Sequence, residues 1–175
     1  MADDQRFFFL DLKPAGVDGG CTKQGHERWL ELDSWNFNMN QTAEPNAKGG
    51  RPTNTSSSGS FSFQIKYNDP ALFANCSSGN LITQAITFEA ERGGLVQPGS
   101  AGSAGQKTTG TYFRLVFTGV VIHAWALGGD SGQKTEDCSF SFEEIEMTYR
   151  PVVNGVLGAA VTRKYDTKSL IATAS

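Results

Sequence analysis

Strict two-residue alternation between Ser60 and Tyr67 is the feature that most constrains the fold. Phe61, Phe63, Ile65 and Tyr67 share one side, and the residues between them are Ser, Gln and Lys. A period of two places successive side chains on opposite faces of a β-strand, so the segment predicts a strand with one buried and one solvated face. Five further segments have β-type patterns and predict a mainly β protein: 6–12, 28–40, 81–91, 111–127 and 136–150.

Two of these segments lose their phase once. The apolar set steps from Leu32 to Trp35 in one segment and from Phe142 to Ile145 in the other, an odd interval each time. A β-bulge or bend within each step would restore the buried face. Two shifted strands predict a strongly bent sheet or a barrel.

The segment 111–127 is predicted as the longest strand. Its apolar residues from Phe113 to Trp125 follow one face, while Val120, Ile122 and Ala124 add a second apolar face in the later half. A strand that is apolar on both sides needs a second burial partner, which a neighbouring subunit can supply. We therefore expect Val120 and Ile122 to lie at a subunit interface.

Residues 69–79 predict one short α-helix. Asp69, Pro70 and Gly79 are the residue types preferred at the N-cap, the first helical position and the position after the last turn. The apolar positions 72, 73 and 76 fall on one face, which we expect to dock on the sheets. Two 19-residue polar segments, 41–59 and 92–110, are predicted as long loops within a single domain spanning residues 1–175.

Composition excludes several partners. A net charge of −3 gives no bulk attraction to nucleic acid or to an anionic membrane. No apolar run approaches the roughly 18 residues of a membrane span, so we expect no membrane insertion. The apolar run that starts at Arg6 is too short for a signal peptide. We expect the chain to be made in the cytoplasm and to leave the cell, if it does, by a route that reads no N-terminal signal.

No set of residues predicts catalysis, a cofactor or a metal. The run Gly129-Asp130-Ser131-Gly132 resembles a serine protease nucleophile, but the chain has only His26 and His123 and neither has a protease-like context. We expect His26 to make a structural hydrogen bond and His123 to be packed. The acidic run 143–146 reads as a solvated strand face. The three cysteines have no CxxC spacing, so neither a disulfide framework nor a zinc site is expected.

The ordered segments resemble the haemolysin-coregulated protein (Hcp) family of the bacterial type VI secretion system. They read FFFLDL, then GHERWLELDSWNFNMNQ, then FSFQIKYNDPALFANCSSGNLITQAITFEAER, TYFRLVFTGVVIHAWALGGDSG and EDCSFSFEEIEMTYRPVVNGVLGAAV. Together they cover almost the whole chain. The segment 92–110 looks longer than the family's connection, and Lys164-Tyr165-Asp166 replaces a Gly-Trp-Asp-like step of many members.

The resemblance implies a ring-forming two-sheet β-barrel with one short α-helix, acting as a structural subunit and not as an enzyme. Hexameric rings would stack into a hollow inner tube that is expelled from the cell and shelters effectors in its lumen. The implied partners are further copies of the chain, the sheath, spike and baseplate proteins, and the effectors. The family's loop corresponding to 41–59 projects towards the next ring, so Glu44, Lys48 and Arg51 are expected to help rings stack.

Two other functions remain open on the residues alone. A bacteriophage tail-tube protein would share the architecture and the physics of ring assembly. A carbohydrate-binding β-sandwich would use Trp29, Trp35 and Trp125 as stacking platforms, although Trp35 and Trp125 are in phase with core residues.

Overall fold

The computed structural model describes residues 5–43, 55–66, 70–96, 107–129, 134–168 and 171–174. They form one α-helix, α1 (Pro70–Ser78), and fourteen strands. The strands are β1 (Arg6–Asp11), β2 (Leu30–Glu31), β3 (Ser34–Ala43), β4 (Thr55–Ile65), β5 (Leu81–Ile82), β6 (Ile86–Val96), β7 (Lys107–Thr118), β8 (Val120–Gly129), β9 (Lys134–Ser141), β10 (Glu144–Tyr149), β11 (Val152–Val153), β12 (Val156–Leu157), β13 (Val161–Asp166) and β14 (Ile171–Ala174).

Two antiparallel sheets make up the fold, which confirms the mainly β prediction. The seven-stranded sheet has the order β14-β13-β10-β7-β6-β1-β2, and the five-stranded sheet has the order β3-β4-β9-β8-β5. Strands β11 and β12 form a separate short hairpin. Neither large sheet closes on itself within the described residues, so the predicted barrel is an open arrangement of two sheets.

Aromatic rings from the two sheets meet in the core. Phe61 and Phe140 come from the five-stranded sheet, Phe88 and Phe117 come from the seven-stranded sheet, and all four are 0% exposed. The ring centroids of Phe61 and Phe88 are 5.1 Å apart, and those of Phe117 and Phe140 are 5.0 Å apart. Each buried Phe side chain contributes roughly 1.5–3 kcal/mol through removal of apolar area from water. The alternation that begins at Ser60 therefore places the apolar side chains of β4 in this core.

Both predicted phase shifts are confirmed, and each marks a place where the chain changes sheets. Between Glu31 and Ser34 the chain leaves the seven-stranded sheet for the five-stranded one. Between Ser141 and Glu144 it crosses back. The odd step in each apolar pattern arises because the buried face of one sheet points towards the buried face of the other.

The prediction of a single strand over 111–127 is wrong, because the chain also changes sheets at Gly119. This glycine has a φ of +66° and separates β7 from β8. The corner moves the buried positions from odd to even numbers, so that Phe117 is followed by Val120 in the core. The apparent second apolar face of the segment 111–127 is explained by this change, because Val120 and Ile122 face the same core as Phe117.

Val120 and Ile122 are consequently core residues of the chain itself. They are 0% and 1% exposed, and both belong to the same buried cluster as Phe61. Side chains that are buried within one protomer are not available to a neighbouring subunit. The prediction that these two residues form the subunit interface is therefore corrected.

The two predicted long loops are partly strand. Strands β3 and β4 pair as far as Ala43 and Thr55, and β6 and β7 pair as far as Val96 and Lys107. The pairs at these strand ends, such as Gln41 with Ser57 and Thr42 with Ser56, lack the apolar alternation by which strands are recognised. Residues 44–54 and 97–106 lie outside the described residues, and Glu44, Lys48 and Arg51 lie among them.

Helix α1 begins at Pro70, as predicted, whereas Asp69 lies outside the described residues. Gly79 follows its end with a φ of +62°, and its N–H donates to the carbonyl oxygen of Asn75 at 3.0 Å. Leu72 is fully buried, but Phe73 is 52% exposed. The helix therefore docks mainly through Leu72.

Candidate functional site

The outer face of the five-stranded sheet is polar and almost uncharged. Its cross-strand rows place Asn36 beside Ser62 and Ser139, and Asn38 beside Ser60 and Ser141. These side chains are exposed or half-buried, while their neighbours along each strand face the core. The alternation of strands β3, β4 and β9 thus produces a broad surface of short amides and hydroxyls, which we call the Asn/Ser face.

An exposed apolar patch lies beside helix α1. Phe73 contacts Trp125 of β8 at a centroid distance of 5.1 Å, and Trp125 Nε1 donates to Oε1 of the buried Glu136 at 2.5 Å. Leu127 lies two residues beyond Trp125, hence on the same side of β8, and is 47% exposed. We refer to Phe73, Trp125 and Leu127 as the helix patch.

A second apolar patch lies on the seven-stranded sheet. Tyr149 of β10 is paired in register with Val161 of β13, and the two side chains are 48% and 51% exposed. We refer to this pair as the β13 patch. The two patches belong to different sheets and have different compositions, so each protomer presents two dissimilar apolar surfaces.

A buried cluster of ionisable groups lies where the segment between β1 and β2 covers the seven-stranded sheet. His26 is 5% exposed, and its Nε2 is 2.9 Å from Oε2 of Glu89 on β6. Its Nδ1 is 3.8 Å from Oε1 of Glu91, which is 6% exposed. The predicted structural hydrogen bond of His26 is therefore present.

Other groups complete this cluster. Arg114 Nε is 3.4 Å from Oε1 of Glu89, and Thr111 Oγ1 donates to Oε2 of Glu89 at 3.2 Å. Lys23 Nζ forms an ion pair with Oε2 of Glu91. The Phe9 ring stacks on the His26 imidazole at 4.3 Å. Among the described residues, His26, Glu89 and Glu91 are the group with metal-ligand atoms close together, all within 4.8 Å.

The sequence did not predict this cluster because Glu89 and Glu91 lie more than sixty positions from His26. The sequence pattern showed only that Glu89 and Glu91 lie on the same side of a predicted strand, opposite the apolar Ala90. That signal gives no partner, since pairing between distant segments is not encoded in local spacing.

The remaining sequence candidates do not assemble into a catalytic group among the described residues. His123, predicted to be packed, is exposed on β8. Glu143 and Glu146 pair with Lys168 and Lys164 at 2.7 and 2.8 Å, as befits a solvated strand face. The hydrogen bond from Lys164 to Glu146 raises the pKa of Lys164. Ser131 lies outside the described residues.

The three tryptophans lie in separate surroundings. Trp35 packs among Phe8, Phe61, Phe88 and Phe113, which leaves little free ring face for a sugar. Trp29 contacts the His26 ring, with centroids 4.7 Å apart, and Trp125 belongs to the helix patch. No shared stacking platform is formed by these side chains, so the carbohydrate-binding hypothesis gains no support.

These features, two antiparallel sheets around an aromatic core with broad polar and apolar outer surfaces, are those of a β-sheet structural protein. The sequence matches the family model described as type VI secretion system effector, Hcp, over residues 9–149. The chain therefore belongs to the Hcp family of type VI secretion tube proteins. A comparison with curated proteins found no significant match.

Solved structures of Hcp proteins share the fold. Hcp1 from Salmonella typhimurium has a TM-score of 0.69 at 22% identity, covering 99% of this chain and 100% of that one. Hcp2 from the same organism has a TM-score of 0.59 at 22% identity, covering 94% and 98%. A type VI secretion system effector from Yersinia pestis has a TM-score of 0.59 at 21% identity, covering 93% and 99%. No helix in the described part of the chain is long and apolar enough to cross a membrane.

Proposed function

We propose that this chain is the repeating subunit of a type VI inner tube, in which six copies close into a ring and the rings stack. The observation that carries the proposal is the pair of dissimilar apolar patches on different sheets. A ring is built from head-to-tail contacts, each of which joins one surface of a protomer to a different surface of the next. The helix patch and the β13 patch supply these two surfaces, in place of Val120 and Ile122.

The Asn/Ser face suits the wall of the tube lumen. A wall of small, uncharged polar groups is hydrated without attracting either charge sign strongly and offers no large apolar area to unfolded or folded cargo. Effector proteins of different surface charge can therefore be accommodated in the lumen. The chain is made in the cytoplasm and leaves the cell with its cargo when the sheath contracts, in association with the spike and baseplate proteins.

Ring stacking is assigned to residues 44–54, which join the paired ends of β3 and β4. The segment contains Glu44, Lys48 and Arg51, so it carries both charge signs for polar contacts with the next ring. The segment joins the ends of the longest hairpin of the five-stranded sheet, whose pairing runs as far as Ala43 and Thr55, and this connection supports the role.

Charge introduced into either patch tests the head-to-tail arrangement. Phe73→Glu and Val161→Glu each place a carboxylate in an apolar contact, so each variant alone should fail to form rings. We expect light scattering to give several times 18.8 kDa for the wild type and close to 18.8 kDa for each variant. Gln24→Glu, which adds the same charge at an exposed position outside both patches, is the control and should retain the wild-type mass.

A mixture of the two variants separates head-to-tail from symmetric contacts. The Phe73→Glu variant keeps its β13 patch, and the Val161→Glu variant keeps its helix patch. One contact can therefore form between the two variants, so the mixture should give heterodimers and no rings. A strictly monomeric wild type at micromolar concentration would contradict ring formation. Rings formed by both variants would place the interface elsewhere.

A further inference from the structure

We propose that His26 and Glu91 bind a divalent transition-metal ion of the zinc class, with Glu89 as the carboxylate that orients the imidazole. The ion would join the segment between β1 and β2 to strand β6. The proposal rests on an unpartnered nitrogen in a buried side chain, on the tautomer that its neighbours impose, and on the separation of the two ligand atoms.

The tautomer of His26 follows from its hydrogen bond. An ionised carboxylate only accepts, so the contact of 2.9 Å between Nε2 and Glu89 requires that Nε2 carry the proton. When the ring is neutral, Nδ1 presents a lone pair. Nδ1 is buried and has no hydrogen-bond partner, although the ring is 5% exposed. A buried polar atom without a hydrogen-bond partner is rare, so this nitrogen is a candidate metal ligand.

The gap beside Nδ1 has the width that a metal ion needs. Oε1 of Glu91 is 3.8 Å from Nδ1, beyond the roughly 3.2 Å limit of a good hydrogen bond. Zinc bonds to imidazole nitrogen and to carboxylate oxygen are each about 2.0–2.2 Å long, so one ion spans this gap with a bent N–Zn–O angle. Water molecules would complete the coordination on the solvent side.

Glu89 is arranged as the outer carboxylate of a metal-bound histidine. Its Oε2 accepts from His26 Nε2 and from Thr111, and Arg114 holds its Oε1. Histidine ligands of metals regularly donate their second ring N–H to a carboxylate, which fixes the tautomer and the ring orientation. The Phe9 ring, stacked at 4.3 Å, further restricts rotation of the imidazole.

Lys23 is the competitor of the ion. Its ammonium group pairs with Oε2 of Glu91 and lies 4.8 Å from the centroid of the Phe9 ring. The Lys23 side chain is 32% exposed, so it can move into solvent and admit a cation from that side. Imidazole as a ligand favours zinc-class ions over Mg²⁺ and Ca²⁺, which prefer oxygen ligands throughout.

Calorimetric titration of the purified protein with ZnCl₂ tests the site. We expect one ion per chain in the wild type. His26→Gln and Glu91→Gln should each weaken binding by about tenfold or more, and Glu89→Gln should weaken it by about 10–100-fold through loss of the orienting hydrogen bond. Lys23→Ala should strengthen binding because the competing ammonium is removed, an effect that loss of a structural ion pair alone does not produce.

Two substitutions serve as matched controls. His123→Ala removes the other histidine of the chain, which is exposed, and Cys76→Ser removes the half-buried thiol. Both should bind Zn²⁺ as the wild type does. Binding that survives both His26→Gln and Glu91→Gln, or that disappears in either control, would overturn the proposal.

Imidazole NMR signals of the wild type provide a test in which a variant is needed only to assign the two rings. With only two histidines, the His123→Ala spectrum assigns the signals of each ring. Added ZnCl₂ should shift the signals of His26 and leave those of His123 in place. Unchanged His26 signals at an excess of ZnCl₂ would overturn the proposal whatever the variants show.

Discussion

Gly119 is the residue on which the connection between the two sheets depends most directly. Its φ of +66° lies in the left-handed region, and a Cβ built there would be 2.6 Å from Cγ and 2.7 Å from Oε2 of Glu143. Glu143 belongs to the neighbouring corner, at which the chain returns to the seven-stranded sheet. Two corners therefore share one crowded site that only a glycine fits without strain.

Gly119→Ala should lower the free energy of unfolding by about 1–3 kcal/mol, because an alanine at this φ costs roughly 1–2 kcal/mol and the Glu143 side chain must move. Gly128→Ala, on the adjoining strand β8, is the matched control. Its Cβ would meet Thr135 Oγ1 at 3.4 Å, an ordinary contact, so a change within about 0.5 kcal/mol is expected. Chemical denaturation of both variants measures the difference, and equal losses would show that the corner is not strained.

Cys138 predicts a pH dependence of stability. Burial, assisted by the nearby Cys76 and Glu136, raises the pKa of the Cys138 thiol from 9.0 to about 12. Above about pH 9 the unfolded chain releases this proton while the folded chain keeps it, so stability falls as the pH rises towards 12. Cys138→Ala lacks this contribution. The stability advantage of the wild type over Cys138→Ala should therefore shrink between pH 8 and pH 11, whereas parallel profiles would contradict the burial effect.

The burial of individual side chains could be predicted where it depends only on the alternation within one strand. Phe61, Phe63 and Ile65 are buried as their alternation requires. His26 was assigned its hydrogen-bonding role but not its partners, because Glu89 and Glu91 reach it through tertiary packing. His123 was expected to be packed, yet a bulge in the pairing of β8 with β9 between Ile122 and Ala124 leaves it exposed.

Strand elements show a consistent relation between pattern and topology. The odd steps in the apolar pattern, from Leu32 to Trp35 and from Phe142 to Ile145, predicted two bends in the chain. The structure shows a change of sheet at both places. The same signal at Gly119 was read as a two-faced strand, because the short Thr118-Gly119 step between Phe117 and Val120 makes no clear polar break in the pattern. The ends of β3 and β4, from Gln41 to Ala43 and from Thr55 to Ser58, escaped prediction because their short polar residues have no apolar periodicity.

Replacement of residues 44–54 by a short Gly-Ser link tests the stacking role at the level of one hairpin. The cut preserves the pairing of Ala43 with Thr55, so ring mass and melting temperature should remain close to wild type. Tubes in negative-stain images, and secretion from cells, should be lost. The matched control replaces residues 97–106, between β6 and β7, and should keep both. If the variant that lacks residues 44–54 still formed tubes, the stacking contact would have to lie in another segment.

The Asn/Ser face, the helix patch and the β13 patch lie on different parts of the molecule. This separation permits independent tests of ring assembly and of cargo binding. Ser62 lies in the middle of the Asn/Ser face, on a strand paired on both sides, and touches neither apolar patch. A substitution there should change the lumen without changing the ring.

Ser62→Arg should leave the ring mass unchanged, because the side chain points away from the core. Repeated around a ring, it would line the lumen with positive charges and should reduce the amount of effector that co-purifies with rings and appears in the culture medium. Ser62→Thr, which keeps the hydroxyl and the neutrality, is the control. Normal effector release by the Ser62→Arg variant would show that the Asn/Ser face does not meet the cargo.

The chain changes sheet four times, between β2 and β3, β5 and β6, β7 and β8, and β9 and β10, and these changes also govern how it acquires its structure. Strand β1 completes its pairing only when β6 arrives, with Arg6 opposite Arg92, and β6 and β7 are joined to β10 only after the chain has passed through β8 and β9 in the other sheet. Neither sheet is a contiguous stretch of sequence, so we expect neither to form before distant segments have come together. Such non-local pairing makes folding comparatively slow and strongly cooperative. We therefore expect the chain to fold and unfold in one cooperative transition, so that a tube built from it would contain only completely folded subunits.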